Sequence, residues 1–395
     1  MEVPLHMRVT HWNMRFFPLM GGIGTYISSL IRNMPDVEFD IVTNAIRGSP
    51  LSERFADNAT ISRFPPYDPV ISFWNRWGRK ALVPPAAAAE NLRTLRQKRY
   101  LRANPPDLIH FHDIDTYTVE VLRLLGSPRR LIEQYARMYH PDALPAPTLL
   151  TKHFDTMLIP NSVWAPWERL FTLQYRNIIV LTKAREDFWK REFREAGVDS
   201  RIWLIPNGVD MDMFRPTERS PSRDLRIGYA GRLDKLKGEQ LLEGILKGLP
   251  EGVVFHGVFP GEERLPSWLS GLPKETCKLD FDIPYERMPD FYRSVDVMVN
   301  TTVIRSTDRT ITEPMACGIP VIKAMTGDDF PVVDGETGLL VPPVAQEFTR
   351  AITRVKQDRG ILDSLSKRTR KVILDNFDAK NVTARVREVY AGLAG

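Results

Sequence analysis

The sequence predicts an α/β protein of two doubly wound domains in tandem, each a parallel sheet covered by helices. Three observations carry this. At 395 residues the chain is too long for one ordinary core and suits two of common size. Short apolar runs bounded by turn residues alternate with helical stretches, as parallel strands buried on both faces require. The polar stretch Arg215–Arg223 interrupts this series once, after which it starts again.

Taken in order, the first series places strands at Met7–Thr10, Phe39–Thr43, Leu108–Phe111, Met157–Pro160 and Ile178–Leu181. A helix over Thr25–Asn33 follows the glycine cluster, and a second carries the basic stretch Arg93–Arg102. The loop Asn207-Gly208-Val209-Asp210 closes the series. The second series places strands at Arg226–Tyr229, Val253–Gly257, Lys278–Phe281, Val295–Asn300 and Pro320–Lys323, with a helix over Glu239–Leu246. Asn381–Leu393 has apolar or small residues at helical spacing and reads as a terminal helix. The expected division is 1–214 and 215–376, with 377–395 forming the last helix. In such sheets ligands sit at the carboxyl ends of the strands.

Composition is that of an ordinary globular protein, 43% hydrophobic and 26% charged. The formal charge of +5 favours an anionic ligand. No helix-turn-helix, zinc-finger or RNA-reading signature accompanies it, so nucleic acid is not an expected partner. Cys277 and Cys317 have no pairing or metal-ligand spacing, which predicts inert thiols. Met1–Arg8 lacks a long apolar run and no stretch is long enough to cross a bilayer, so a cytoplasmic location is expected.

Four segments carry chemistry. Ile227-Gly228-Tyr229-Ala230-Gly231-Arg232-Leu233, then Lys237-Gly238, places a strand, a glycine turn and two cations ahead of a helix. Fixed cations there can stabilise a departing diphosphate without a metal. Thr312–Ile322 sets Glu313 before a small-residue turn and an apolar strand, and an ionised carboxylate offers acceptors to two neighbouring hydroxyls. Gly21-Gly22-Ile23-Gly24 follows the first strand, where amides can approach an anion. The spacing differs from the dinucleotide fingerprint, which disfavours a nicotinamide or flavin enzyme. His110 and His112 alternate at a strand end and share a face.

Together these segments resemble the GT-B glycosyltransferases, in particular the retaining family 4 (glycosyl transferases group 1). The resemblance implies two Rossmann-like domains with an interdomain cleft and a last helix that crosses back to the first domain. It implies Arg232 and Lys237 on the diphosphate and Glu313 on the ribose. His112 would lie beside the donor sugar with His110 structural, Gly22 near the donor phosphate, and Gly21, Ile23 and Gly24 on the acceptor side. The remaining donor-binding stretch is Arg305, Ser306, Thr307, Asp308, Arg309 and Thr310. It departs from the family pattern, because Arg305 stands where a carboxylate is usual. Either Arg305 meets an acidic donor sugar or it turns away and Asp308 takes the sugar hydroxyls.

The implied reaction moves a sugar, with retention, from a nucleotide-diphosphate sugar to a hydroxyl of a glycan, lipid-linked or small-molecule acceptor. No cofactor and no metal are expected. Phe73–Lys80 and Arg93–Arg102 form a cationic, aromatic region that fits peripheral association with an anionic membrane, although a solvated helix face is the commoner reason for such a run. A nucleotide-sugar epimerase of the same fold and a non-catalytic nucleotide- or glycan-binding homologue are the alternatives.

Overall fold

The computed structural model describes residues 7–14, 16–18, 21–65, 83–113, 140–153, 165–218, 222–261, 265–305 and 308–395. The chain divides into two compact units, one of Met1–Pro206 with Thr383–Gly395, the other of Asn207–Val382.

The first unit is built on eight strands: β1 (Arg8–Trp12), β2 (Glu38–Asn44), β3 (Ser52–Ala56), β4 (Ala59–Phe64), β5 (Leu108–His112), β6 (Thr148–Lys152), β7 (Asn177–Val180) and β8 (Arg201–Leu204). Their order is β3-β4-β2-β1-β5-β6-β7-β8, and every pair is parallel except β3 with β4. The order reverses between β1 and β5, whose register sets His11 beside His110 and Trp12 beside Phe111. Described helices are α1 (Gly22–Asn33), α2 (Val83–Ala103), α3 (Ala165–Thr172) and α4 (Lys183–Glu195). Helix α1 buries Tyr26, Ile27, Leu30 and Ile31, one stripe at helical spacing.

Strand β6 escaped the sequence reading because its last residue is a lysine. Lys152 is nonetheless buried, with its Nζ 2.6 Å from Oε1 of the equally buried Glu168. The strand predicted at Met157–Pro160 lies outside the described residues, as does Phe73–Lys80.

The second unit has β9 (Leu225–Ala230), β10 (Val253–Phe259), β11 (Cys277–Phe281), β12 (Val297–Asn300), β13 (Val321–Ala324) and β14 (Leu339–Val341). They form one parallel sheet in the order β11-β10-β9-β12-β13-β14, the doubly wound order whose switch point lies between β9 and β12. Helices α5 (Glu239–Lys247), α6 (Ser267–Ser270), α7 (Met288–Arg293), α8 (Arg309–Ala316), α9 (Ala345–Gln357), α10 (Gly360–Phe377) and α11 (Ala379–Ala394) complete the description. Alternation along β12 feeds two cores. Val297 and Val299 pack with Leu242, Ile245, Phe348 and Ile352 of α5 and α9, while Met298 packs with Phe291, Ile311 and Ile373 of α7, α8 and α10.

The first unit ends at Pro206 and not at residue 214. Val209, Met211 and Phe214 are buried with Phe291 and Tyr292 of the second unit. Val209 N–H also donates to Phe377 O at 2.7 Å, and Ala379 N–H to Val209 O at 2.9 Å. Hydrophobic burial outweighs the polar appearance of this segment. Residues of α11 from Thr383 onward belong to the first unit, where Tyr390 OH lies 2.7 Å from His110 Nδ1 and Arg387 pairs with Asp36.

Candidate functional site

In the second unit the loops after β9 and β12 meet at the switch point. Gly238 has φ +73°, and a Cβ there would stand 2.1 Å from the Thr301 carbonyl oxygen, so only glycine allows this approach. Thr301 Oγ1 donates to Lys237 O at 2.6 Å. Lys237 Nζ is 2.5 Å from Asp308 Oδ2, which also accepts from Thr302 Oγ1 at 3.0 Å. The lysine chosen for a diphosphate thus already faces a carboxylate. Arg232 is largely exposed, with Asp234 Oδ2 3.6 Å from its Nη2, and Tyr229 OH donates to its carbonyl at 2.9 Å. Beside it lies a cavity of about 200 Å³ walled by Leu233, Phe259, Pro260 and Leu265. That holds a ring or a phosphate but falls short of the roughly 300–1,000 Å³ typical of whole-ligand sites. A larger open groove of about 620 Å³ is lined by residues at α5 and α9, including Gly244, Ala345, Thr349 and Arg350. It carries none of the residues singled out for chemistry.

Glu313, expected from the sequence to accept from two hydroxyls, is enclosed by protein donors in the structure. It is 2% exposed. Its Oε1 accepts from Tyr285 OH at 2.9 Å and Arg309 Nη1 at 3.3 Å, and its Oε2 accepts from Tyr292 OH at 2.9 Å. Burial raises its pKa above the usual carboxylate value, against the opposing pull of Arg309 and the two tyrosines. Burial likewise raises both tyrosine hydroxyls, which stay protonated as donors. Arg309 keeps Nε and Nη2 buried without a hydrogen-bond partner among the described residues. Tyr285 and Tyr292 were missed in the sequence, since no local spacing ties them to a glutamate more than twenty residues later.

Asp308 is the N-cap of α8, and Thr310 Oγ1 accepts from Asn300 Nδ2 at 3.4 Å. Arg305 is exposed and leans on the turn after β13, its Nε 3.3 Å from Thr326 O. Ser306 and Thr307 lie outside the described residues.

In the first unit Gly22, Ile23 and Gly24 form the first turn of α1 and are not a loop. Gly21 is the extended N-cap, and Thr25 N–H donates to Gly21 O at 3.0 Å. Helical geometry leaves the amides of this turn without intrahelical acceptors. Added Cβ atoms at Gly21 and Gly22 would meet nothing within 4 Å. At the strand ends His112 is buried, with Nε2 2.7 Å from His11 Nδ1 and Nδ1 3.2 Å from His153 Nε2. Tyr26 packs edge-on against His112 and His153. His110 Nδ1 lies 2.7 Å from Tyr390 OH and Nε2 2.6 Å from Thr151 Oγ1, a pin between strands and last helix. Burial lowers all three buried imidazoles, His11 to about 3 and His110 and His112 well below the ordinary value. His11 and His153 were not singled out in the sequence; the signal was a histidine close to the carboxyl end of each strand beside β5, His11 next to last in β1 and His153 directly after β6.

The family described as Glycosyltransferase Family 4 matches residues 20–213, and that described as Glycosyl transferases group 1 matches residues 224–358. Among curated proteins, a D-inositol 3-phosphate glycosyltransferase of Nocardiopsis dassonvillei is 30% identical over 186 residues, 40% of this chain and 43% of that protein. The sulfoquinovosyl transferase of Arabidopsis thaliana is 24% identical over 203 residues, 47% of this chain and 39% of that one. The chain thus spans about two fifths of the length of these relatives. In fold it is similar to sucrose-phosphate synthase of Thermosynechococcus elongatus, with a TM-score of 0.75, 19% identity and coverage of 98% and 99% of the two chains. The same holds for HepE of Anabaena in complex with UDP and glucose, with a TM-score of 0.69, 18% identity and coverage of 98% and 100%. Two doubly wound parallel units, a glycine-enforced switch point and matches over both halves lead to one conclusion: the chain belongs to the family 4, group 1 glycosyltransferases of GT-B fold.

Proposed function

We propose that this protein is a retaining glycosyltransferase that moves a sugar from a nucleotide-diphosphate sugar to an acceptor hydroxyl. The observation that carries the reading is the switch point of the second unit, where Arg232 and Lys237 stand at the carboxyl end of β9 beside the loop after β12. Their role is to hold the diphosphate and stabilise the charge that grows on it as the glycosidic bond breaks. The ribose hydroxyls take places on Glu313 now held by Tyr285 and Arg309, which exchange one set of donors for another on the same carboxylate. Within the first unit, the first turn of α1 offers amides to phosphate or acceptor, and His112 is the residue to which the family resemblance gives the sugar-side role. Support for a nucleotide donor also comes from HepE, whose structures hold UDP, glucose and UDP-glucose.

A second reading concerns the donor. The exposed guanidinium of Arg305 matches an acidic group on the sugar in a bidentate way. Helix α2 adds a proposal about location. Leu92, Leu95, Arg96, Arg99 and Arg102 form one exposed stripe, suited to an anionic membrane surface, while Arg93 and Lys98 are buried and take no part. Among the described residues no helix is long and apolar enough to cross a membrane.

The test is a thermal-shift and turnover screen of UDP-, GDP-, ADP- and TDP-sugars, neutral and uronic, with wild type beside Arg232→Ala and Glu313→Ala. Stabilisation by one nucleotide, weakened in both variants, with slow donor hydrolysis, is the expected result. Donor isomerisation without acceptor would mean an epimerase, and binding without turnover a non-catalytic homologue. NMR of the product anomer checks retention. Sedimentation with phosphatidylserine vesicles, lost on neutralising Arg96, Arg99 and Arg102, checks the membrane reading.

A further inference from the structure

The described residues bring His11, His110 and His112 to within 4.8 Å of one another through one ring nitrogen each. His153 joins them through His112, so that His11, His112 and His153 form a chain of hydrogen-bonded imidazoles from the buried interior to a half-buried position.

Each neutral imidazole has one N–H and one bare nitrogen, so a chain of three can run in either of two directions. The far end decides between them. His11 Nε2 is buried and has no hydrogen-bond partner among the described residues. If the chain ran inward from His153, His11 would carry its proton on Nε2, a buried N–H with no acceptor. If it runs outward, the same nitrogen is a bare lone pair. Orphaned buried N–H groups are the rarer of the two defects, so the outward direction wins. His11 Nδ1–H then donates to His112 Nε2, and His112 Nδ1–H donates to His153 Nε2. His11 is itself held in plane by stacking on Phe39, with ring centroids 5.2 Å apart.

We propose that His11 is a positioning residue for sugar transfer, locking His112 in the Nδ1–H tautomer and directing that proton outward to His153. Both nitrogens of His112 are then committed within the chain, which makes its ring plane fixed and its protonation invariant during turnover. The transfer role rests on the proposed function; the tautomer lock does not. A positioning group that only fixes a tautomer can still govern rate, as the buried aspartate of the serine-protease triad does.

The experiment uses the full chain labelled with ¹⁵N-histidine. Long-range ¹H–¹⁵N correlation reads the tautomer of His112 in the ligand-free protein, and turnover uses the nucleotide sugar found in the donor screen. Wild type is expected to show His112 protonated on Nδ1. His11→Phe keeps the stacking on Phe39 but removes the donor. It should lose that single tautomer and lower kcat by roughly tenfold or more, with KM for the donor changed far less. His11→Asn returns an N–H near the Nδ1 position and should recover the tautomer and most of kcat, which loss of packing alone would not allow.

A proton on His112 Nε2 in wild type would overturn the proposal, as would an unchanged tautomer or kcat in His11→Phe. A stoichiometric divalent metal in purified wild type, lost in His11→Phe, would also overturn it by making these imidazoles ligands. If wild type turns over no nucleotide sugar, the proposed function and the transfer role fail together, while the NMR arm still decides the lock.

Discussion

Lys237, a cation of the proposed donor site, has its charge answered in the structure by Asp308. On the proposed function, a diphosphate must displace that carboxylate or share the ammonium with it. Removing the cation by Lys237→Ala should weaken nucleotide binding about tenfold, the scale of one charged hydrogen bond. Asp308→Asn should strengthen it by about 1 kcal/mol, roughly fivefold, because the pair is partly solvated. Calorimetric titration with the selected nucleotide reads both. Weaker binding of the whole sugar donor by Asp308→Asn, with nucleotide alone unaffected, would instead place Asp308 on sugar hydroxyls. The buried histidines give a second expectation. Their pKa values are lowered in the folded state, so below about pH 6.5 the unfolded chain binds more protons and stability falls as pH drops. Each can contribute up to about 1.4 kcal/mol per pH unit. Urea midpoints at pH 7 and pH 5.5 should differ markedly, and His11→Phe should flatten the difference.

At the scale of elements, β6 and α3 are joined by a buried ion pair, Lys152 with Glu168, and Lys152 also lies 6.0 Å from the Trp189 ring centroid. Glu168→Leu removes the nearer partner of a buried ammonium, leaving Asp113 Oδ1 at 3.7 Å, and should cost up to about 3–5 kcal/mol by chemical denaturation. Lys152→Met combined with Glu168→Leu should restore most of that loss, since two apolar groups need no partner. This pair also explains why β6 is not legible in the sequence. Strands such as β5, β7, β9 and β12 are apolar runs and were legible, whereas β6 ends on a lysine whose burial depends on a glutamate from another element. The same holds for α2, where burial of Arg93 and Lys98 beside exposed Leu92 and Leu95 inverts what charge patterning suggests. Glycine reading was legible in kind but shifted in place, because Gly22 to Gly24 had room to start a helix early.

At the scale of the whole molecule, the last residues complete the first unit although all of Asn207–Val382 separates them from its main stretch. Val386, Val389 and Tyr390 are buried there. Ending the chain at Val382 removes three side chains each worth about 1.5–3 kcal/mol of burial. The first unit should then melt well below its normal temperature, with earlier amide exchange in β5, while Tyr390→Phe alone should cost about 1 kcal/mol. The sequence by itself determined the two parallel sheets, the family and the cations after β9, because alternating apolar runs and glycine turns are local patterns that need no partner to be read. Only the tertiary structure decided that Glu313 is enclosed by Tyr285, Tyr292 and Arg309, that Lys237 faces Asp308, and that four histidines meet towards the carboxyl ends of the neighbouring strands β1, β5 and β6. Those facts depend on which strands become neighbours and which side chains lose water together, and spacing along the chain does not encode either.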